Sequence, residues 1–188
     1  TKLSFHSIVS AAQEVFDRSV GSYSIVTMIA GYGLVAFRDP NGIRPLIYAK
    51  QKNAEGKTTH LFSSESGVAT FLDYVDEEDV KPGEVIAITH DGQVNRTQIQ
   101  KAAHRPCMFE WVYFAAPQST IEKTPVYQAR IQLGKKLVKT VKAEIASGRI
   151  KPDLVVPVPE TSRIAATALA EDLGLPYREV LIKNRYIT

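Results

Sequence analysis

The apolar pattern of this sequence changes once along the chain, near Pro106. Before that point, short apolar runs alternate with turns rich in Gly, Pro and Asn, which is typical of antiparallel strands. After it, longer stretches with helical spacing alternate with single apolar runs, which indicates a parallel βαβ unit. The sequence therefore predicts an α+β region at 1–106 followed by an α/β region at 107–188.

The first region begins with an amphipathic helix predicted at 4–19, for which Ser4 is a suitable N-cap. A short helix is predicted at 66–72, and strands are predicted at 23–30, 34–38, 46–50, 59–63, 84–89 and 93–100. The string from Arg38 to Leu46, RDPNGIRPL, reads as a turn, because its Pro fixes φ and its Asn-Gly pair tolerates positive φ. A local ion pair of Asp39 with Arg38 or Arg44 is expected to stiffen that turn.

The second region is predicted to contain two helices and three strands. The strands are expected at 109–114, 154–158 and 178–182, and a helix at 163–173 is expected to end at Gly174. Helical spacing predicts one further helix with a buried stripe formed by Val126, Ala129, Leu133, Leu137, Val141 and Ile145.

Composition and charge limit the classes of function. No apolar run reaches the length of a membrane span, and the single cysteine, Cys107, excludes an intrachain disulfide, so a cytoplasmic protein is expected. Residues 1–100 carry 9 basic and 12 acidic groups, whereas residues 101–188 carry 14 and 8. This excess favours an anionic small molecule over nucleic acid, because basic residues are not interleaved with aromatic ones. The four histidines lack metal-ligand spacing and have no assigned role.

The loop Glu160-Thr161-Ser162 is the best candidate site. It joins a predicted strand to a helix N-terminus, where backbone N–H groups and the helix dipole attract an anion and where oxygen side chains can hold Mg²⁺. The alternative is that Ser162 only caps the helix and Pro159 only ends the strand. Lys183 and Arg185 could clamp phosphate oxygens, although such residues are more often a solvated strand end. Cys107 is expected to be a buried apolar residue and not a ligand.

Seven motifs resemble, in order, those of the glutamine phosphoribosylpyrophosphate amidotransferases. They are RDPNGIRPL at 38–46, SSES at 63–66, KPGE at 81–84, CMFEWVYF at 107–114, VYQAR at 126–130, PVPETS at 157–162 and KNRY at 183–186. The resemblance implies the C-terminal part of an N-terminal-nucleophile (Ntn, αββα) glutaminase domain at 1–106. It implies the first part of a type I phosphoribosyltransferase domain at 107–188, with ammonia passing between the two domains.

The resemblance also implies roles for single residues. Glu160, Thr161 and Ser162 form the family's pyrophosphate loop, with Thr161 at the position associated with Mg²⁺. Lys183 and Arg185 open the flexible loop that closes over phosphoribosyl pyrophosphate. Cys107 stands where some members bind a [4Fe–4S] cluster, which is a possible but not the favoured cofactor here. The intact enzyme is expected to form a homo-oligomer and to use phosphoribosyl pyrophosphate and glutamine.

The sequence departs from the family in several places. The cysteine nucleophile and the Asp-Asp-Ser phosphate motif are missing, and the only Asn-Gly pair, Asn41-Gly42, belongs to a different motif from the family's oxyanion donors. No catalytic residue is therefore assigned, and this piece alone is expected to be inactive. Ala116 and Gln118 replace the usual arginine and aspartate. Two alternatives stay open, namely a non-catalytic relative for oligomerisation or nucleotide sensing, and a salvage phosphoribosyltransferase that acts on a free base.

Overall fold

The computed structural model describes residues 3–184 and Tyr186. The chain divides into two compact units. The first unit runs up to Met108 and also includes Thr120–Glu122, and the second contains Phe109–Ser119 and the chain from Lys123 onward. None of the helices in the described part of the chain is long and apolar enough to cross a membrane.

Helix α1, Phe5–Arg18, opens the first unit. The Ser4 hydroxyl accepts a hydrogen bond from the backbone N–H of Ser7 at 3.2 Å, which caps the helix as predicted. Ile8, Ala12 and Phe16 recur at helical spacing and are buried, so the predicted amphipathic face is confirmed.

Seven strands and one short helix follow α1 in the first unit. They are β1 Ser24–Ile29, β2 Gly33–Arg38, β3 Ile47–Lys52, β4 Thr58–Ser63, α2 Ser66–Phe71, β5 Asp76–Asp79, β6 Glu84–Thr89 and β7 Val94–Gln98. All pairings in this unit are antiparallel, as predicted, but the strands form two sheets, in the orders β1-β2-β6-β7 and β4-β3-β5. Strand β5 was not predicted, because its sequence DEED has low strand propensity.

Strand β2 contributes to two apolar clusters, because successive side chains of a strand point to opposite faces. Val35 and Phe37 lie in a cluster with Phe16 of α1. Ala36 lies in the other cluster, which includes Tyr48 of β3. The four-stranded sheet is therefore covered by α1 on one face and by the second sheet on the other.

The turn after β2 is organised around the buried Arg38. Its Nε donates to the Arg44 carbonyl oxygen at 2.6 Å, and its Nη1 donates to the Val80 carbonyl oxygen at 2.8 Å. Its Nη2 lies 2.7 Å from a carboxylate oxygen of Glu122. The predicted turn is confirmed, but the predicted ionic partner is wrong, because the counter-charge comes from Glu122 and not from Asp39.

Asp39 is buried beside this arginine and binds the backbone of the turn. Its Oδ1 accepts from the N–H groups of Asn41 and Ile43 at 3.0 and 3.1 Å, and its Oδ2 accepts from that of Arg44 at 3.1 Å. These three bonds satisfy the carboxylate without a cation. The turn is thus stiffened by hydrogen bonds to its own backbone.

In the second unit, the predicted strand at 109–114 is wrong. Glu110–Phe114 is a π-helical turn, closed by a hydrogen bond from the Ala115 N–H to the Glu110 carbonyl oxygen at 2.9 Å. The Arg130 side chain donates from Nε to the Trp111 carbonyl oxygen at 2.7 Å and from Nη2 to that of Ala115 at 2.8 Å. These bonds hold the segment in a compact turn, which overrides the strand propensity of its aromatic residues.

Two helices, α3 Val126–Ala146 and α4 Arg163–Leu173, pack together in the second unit. The short strand β9, Thr124–Pro125, precedes α3 in this unit, whereas the short strand β8, Thr120–Ile121, belongs to the first unit. The buried residues of α3 are Val126, Arg130 and Gly134. Leu137 and Ile145 are 50% and 36% exposed, so the predicted stripe is wrong at these two positions. The face of α3 that is buried is the one that meets α4 and the π-helical turn.

The predicted βαβ unit is present in a reduced form. Val155 and Tyr177 make one parallel bridge, with the Val155 N–H donating to the Pro176 carbonyl oxygen at 2.8 Å. The Arg178 N–H donates back to the Val155 carbonyl oxygen at 3.1 Å. The parallel direction is confirmed, whereas the predicted strands at 154–158 and 178–182 are wrong, because the pairing is reduced to one bridge whose second residue, Tyr177, precedes the predicted range. Helix α4 ends as predicted at Gly174, whose φ of 67° favours glycine.

Candidate phosphate-binding site

The loop at 159–162 leads directly into helix α4. The Ser162 hydroxyl donates to the Val158 carbonyl oxygen at 2.6 Å and makes no capping bond to the helix. The interpretation of Ser162 as a side-chain cap is therefore wrong. Its hydroxyl instead ties the end of the loop to its beginning. The Arg163 N–H donates to the Glu160 carbonyl oxygen at 3.3 Å and closes the turn.

This geometry leaves backbone donors at the start of α4. Within the described part of the chain, the N–H groups of Thr161, Ser162 and Ile164 have no backbone acceptor. They lie at the positive end of the helix dipole, where an anion is stabilised. The loop therefore has the backbone chemistry of a phosphate site.

A cavity of about 370 Å³ adjoins the loop. Glu160 and Thr161 line one side, and Tyr113 of the π-helical turn lines another together with Ala116 and Pro117, which follow that turn. The buried Arg130 also contributes to the lining, and it holds that segment through the Ala115 carbonyl. The cavity is thus bounded by the loop and by a wall that Arg130 holds in place.

Arg163 is a further cation at this site that the sequence analysis did not single out. It lines the same cavity, and its Nη2 lies 2.9 Å from a carboxylate oxygen of Glu179. The Tyr177 hydroxyl donates to the other oxygen of that carboxylate at 2.9 Å. Desolvation and, secondarily, the bond to Glu179 raise the pKa of Tyr177. The only sequence signal for Arg163 was its position directly after the loop.

The other candidate residues are placed as follows. Lys183 is exposed and does not line the cavity, and Arg185 lies outside the described residues. Cys107 is half-buried and not fully buried as predicted, and its backbone N–H donates to the Ile43 carbonyl oxygen at 3.1 Å. A [4Fe–4S] cluster takes four thiolates, and this chain has one cysteine, so its residues alone do not fit a cluster. Across residues 3–184 and Tyr186, no group of three or more His, Cys, Asp or Glu side chains could hold a metal ion.

Comparison with known proteins gives the relationship. No protein-family model matches the sequence. The amidophosphoribosyltransferase of Pseudomonas aeruginosa is 42% identical over 181 residues, which are 96% of this chain and 36% of that protein. The Escherichia coli amidophosphoribosyltransferase is 45% identical over 168 residues, which are 89% of this chain and 33% of that protein. The chain is homologous to part of the amidophosphoribosyltransferases. The resemblance carried by the seven motifs is thereby confirmed.

Solved structures agree with this relationship. The glutamine phosphoribosylpyrophosphate amidotransferase of B. subtilis, in complex with ADP and GMP, matches 94% of this chain with a TM-score of 0.72 and 27% identity. A structure described as the allosteric regulatory enzyme of purine biosynthesis matches 100% of the chain with a TM-score of 0.73 and 26% identity. The predicted mixed α+β and α/β class is confirmed. The chain spans about a third of the length of its curated amidophosphoribosyltransferase relatives.

Proposed function

We propose that the protein that carries this sequence is an amidophosphoribosyltransferase. In this reaction water hydrolyses glutamine to glutamate and ammonia, and the ammonia displaces pyrophosphate from phosphoribosyl pyrophosphate to give phosphoribosylamine, at the start of purine synthesis. The observation that supports this proposal most is the set of backbone N–H donors of Thr161, Ser162 and Ile164 beside a cavity, in a chain homologous to these enzymes.

We assign the two regions of the chain to two different domains of the proposed enzyme. The first region, 1–106, is proposed to be the C-terminal part of the Ntn glutaminase domain. The second, 107–188, is proposed to be the first part of a type I phosphoribosyltransferase domain. The motifs for the glutaminase nucleophile and for the main phosphate loop do not occur among these 188 residues. We therefore expect this chain alone to be inactive.

The loop would act on the leaving pyrophosphate. As the bond between the anomeric carbon and the pyrophosphate oxygen breaks, negative charge grows on the phosphate oxygens. Preorganised N–H groups of Thr161 and Ser162 and the dipole of α4 would stabilise that charge more in the transition state than in the ground state. Lys183 and Arg185 would approach the ligand later, when the following segment closes over it.

The loop side chains also fit Mg²⁺. This ion usually takes one or two protein oxygens and completes its shell with water and ligand phosphates. The exposed Glu160 carboxylate and the Thr161 hydroxyl, on adjacent residues beside the cavity, are such oxygens. Bound there with the ligand, Mg²⁺ would supply charge neutralisation at the pyrophosphate.

The cellular setting and the partners are part of the same proposal. The enzyme is proposed to be a cytoplasmic homo-oligomer that binds phosphoribosyl pyrophosphate and glutamine and does not bind nucleic acid. Formation of a homo-oligomer can be measured directly by light scattering on the full-length protein.

The test replaces one hydroxyl of the loop. In the full-length protein, Thr161→Val should raise the KM for phosphoribosyl pyrophosphate about tenfold, which corresponds to about 1.4 kcal/mol. Thr140→Val makes the same change on the exposed face of α3 and should leave the KM within about twofold. Phosphoribosylamine formation is measured with ammonia and with glutamine over a range of Mg²⁺ concentrations.

Two outcomes would replace this proposal. Saturable, Mg²⁺-dependent binding of phosphoribosyl pyrophosphate without turnover would support the non-catalytic relative, for which Ala116 in the cavity wall is the supporting observation. Transfer to a free purine or pyrimidine base in place of ammonia would support the salvage enzyme.

A further inference from the structure

Arg163 lies between two cavities of the second unit. On one side it lines the loop cavity with Glu160 and Thr161. On the other it lines a second cavity of about 420 Å³, together with Tyr177 and Glu179. A single long side chain at the start of α4 can therefore take partners from either side.

The present partner of Arg163 holds it weakly. The side chains of Arg163 and Glu179 are 41% and 42% exposed, so water screens their attraction. The Nε of Arg163 is buried and has no hydrogen-bond acceptor among the described residues. An unsatisfied buried donor is unfavourable, so this position of the guanidinium is not its best-bonded one.

A pyrophosphate group in the loop cavity offers a better partner. It carries more negative charge than one carboxylate, and its oxygens accept the parallel N–H bonds that a guanidinium donates. The backbone N–H groups of Thr161, Ser162 and Ile164 would hold that pyrophosphate group beside Arg163, which lines the same cavity.

We propose that Arg163 exchanges its ion pair with Glu179 for the pyrophosphate bound at the loop, so that Glu179 competes with the ligand and sets the affinity of the site. This inference rests on the proposed function, since it takes the ligand of the loop to be a pyrophosphate group. It assigns binding to an arginine outside the Glu160-Thr161-Ser162 loop and gives Glu179 an opposing effect.

The exchange predicts opposite effects for the two partners. In the full-length protein, Arg163→Gln should weaken the binding of Mg-pyrophosphate about tenfold, which is typical for loss of one charge-assisted contact. Glu179→Gln should tighten it about threefold, because the guanidinium then has no competing carboxylate. The double variant should bind like Arg163→Gln alone, because the effect of Glu179 passes through Arg163.

A matched control is available in the same unit. Arg149 and Glu144 form an ion pair at the end of α3, with an N–O distance of 2.5 Å. Neither residue lines the two cavities. Arg149→Gln and Glu144→Gln change the net charge in the same way and should leave the dissociation constant within about twofold.

Isothermal titration calorimetry with inorganic pyrophosphate and Mg²⁺ measures these dissociation constants, and thermal unfolding confirms that each variant is folded.

If Glu179→Gln weakens the binding of Mg-pyrophosphate or leaves it unchanged, the exchange is wrong. If Arg163→Gln does not fold, Arg163→Lys and Glu179→Gln still decide the question, since only a competitor of the ligand tightens binding when removed. If Thr161→Val weakens the binding of Mg-pyrophosphate and Arg163→Gln does not, the exchange is rejected and the proposed function is still supported. Absence of pyrophosphate binding to the unaltered protein would reject both.

Discussion

The Nη2 atom of Arg38 lies 2.7 Å from a carboxylate oxygen of Glu122, and the Arg38 side chain is only 1% exposed. The same guanidinium donates to three backbone carbonyl oxygens, those of Gly42, Arg44 and Val80. Its charge is therefore compensated by one carboxylate and its donors by the backbone, which makes a buried arginine tolerable.

Removing this arginine should strongly destabilise the first unit. Arg38→Met leaves three carbonyl groups without the donor that Arg38 provides and removes the guanidinium from the Glu122 carboxylate, and we expect a loss of about 3–5 kcal/mol in the free energy of unfolding. Urea denaturation measures it, with Arg149→Met as an exposed control expected to stay within about 0.5 kcal/mol. If Arg38→Met lowers the free energy of unfolding by less than about 1 kcal/mol, the structural role of Arg38 is contradicted.

Gly134 should not tolerate a larger residue. A Cβ atom there would lie 2.2 Å from the carbonyl oxygen of Ala165 on α4. Alanine improves helix propensity by about 1 kcal/mol, but overpacking against a backbone atom costs about 1–3 kcal/mol, so we expect net destabilisation. Because α4 carries the loop at its N-terminus, Gly134→Ala should also weaken pyrophosphate binding. Lys136→Ala on the exposed face of α3 is the control, and equal stability of the two variants would argue against close packing of the helices.

His60 should make stability depend on pH. Burial and then the positive charge of Lys50 lower the pKa of His60 below 6.5, and its Nδ1 lies 2.9 Å from the Tyr48 hydroxyl oxygen. Because the unfolded chain binds this proton at a higher pH than the folded chain does, the stabilisation is complete above pH 6.5. It is lost as pH falls through the lowered folded-state pKa.

Urea denaturation at a series of pH values from about 7.5 to 5 tests the histidine prediction. The slope of unfolding free energy against pH should be smaller in His60→Gln than in the unaltered protein. His90→Gln, at an exposed histidine, should keep the original slope. Equal slopes in all three proteins would show that His60 has no part in the pH dependence.

Arg130 should support the wall of the candidate phosphate cavity. Arg130→Met removes the donors to the Trp111 and Ala115 carbonyl oxygens, and hydrogen bonds from charged donors contribute about 1.5–3 kcal/mol each. We expect the second unit to lose about 3 kcal/mol and the KM for phosphoribosyl pyrophosphate to rise. Arg130→Lys keeps the charge but lacks the planar guanidinium, so it should restore little of the lost stability and little of the original KM. Full recovery with lysine would show that charge alone matters.

Local signals in the sequence predicted the elements that depend on local chemistry. Ser4, the spacing of Ile8, Ala12 and Phe16, and the stop at Gly174 each act within a few residues, and the structure confirms them. Strand β5 and the helical turn at 110–114 depend on distant partners, namely β3 and Arg130. The residues of β5 alone therefore indicated no strand, and the residues at 110–114 alone indicated a strand in place of the helical turn.

The site was predictable to the same extent. Glu160, Thr161 and Ser162 were placed at a helix start because the strand, loop and helix pattern is local. Arg163 was missed, since its contact with Glu179 exists only once the chain folds back after α4. The resemblance to the family added the ligand that we propose for this loop, which the loop pattern alone did not give.

The placement of Glu122 matters for anyone who divides this protein. Thr120–Glu122 belongs to the first unit, although the residues on both sides of it in the chain belong to the second. A fragment that ends at Met108 would keep Arg38 buried but would lack Glu122, the carboxylate that pairs with it. To be stable, such a fragment should therefore either include Thr120–Glu122, joined to it by a linker, or have Arg38 replaced by a neutral residue of similar volume.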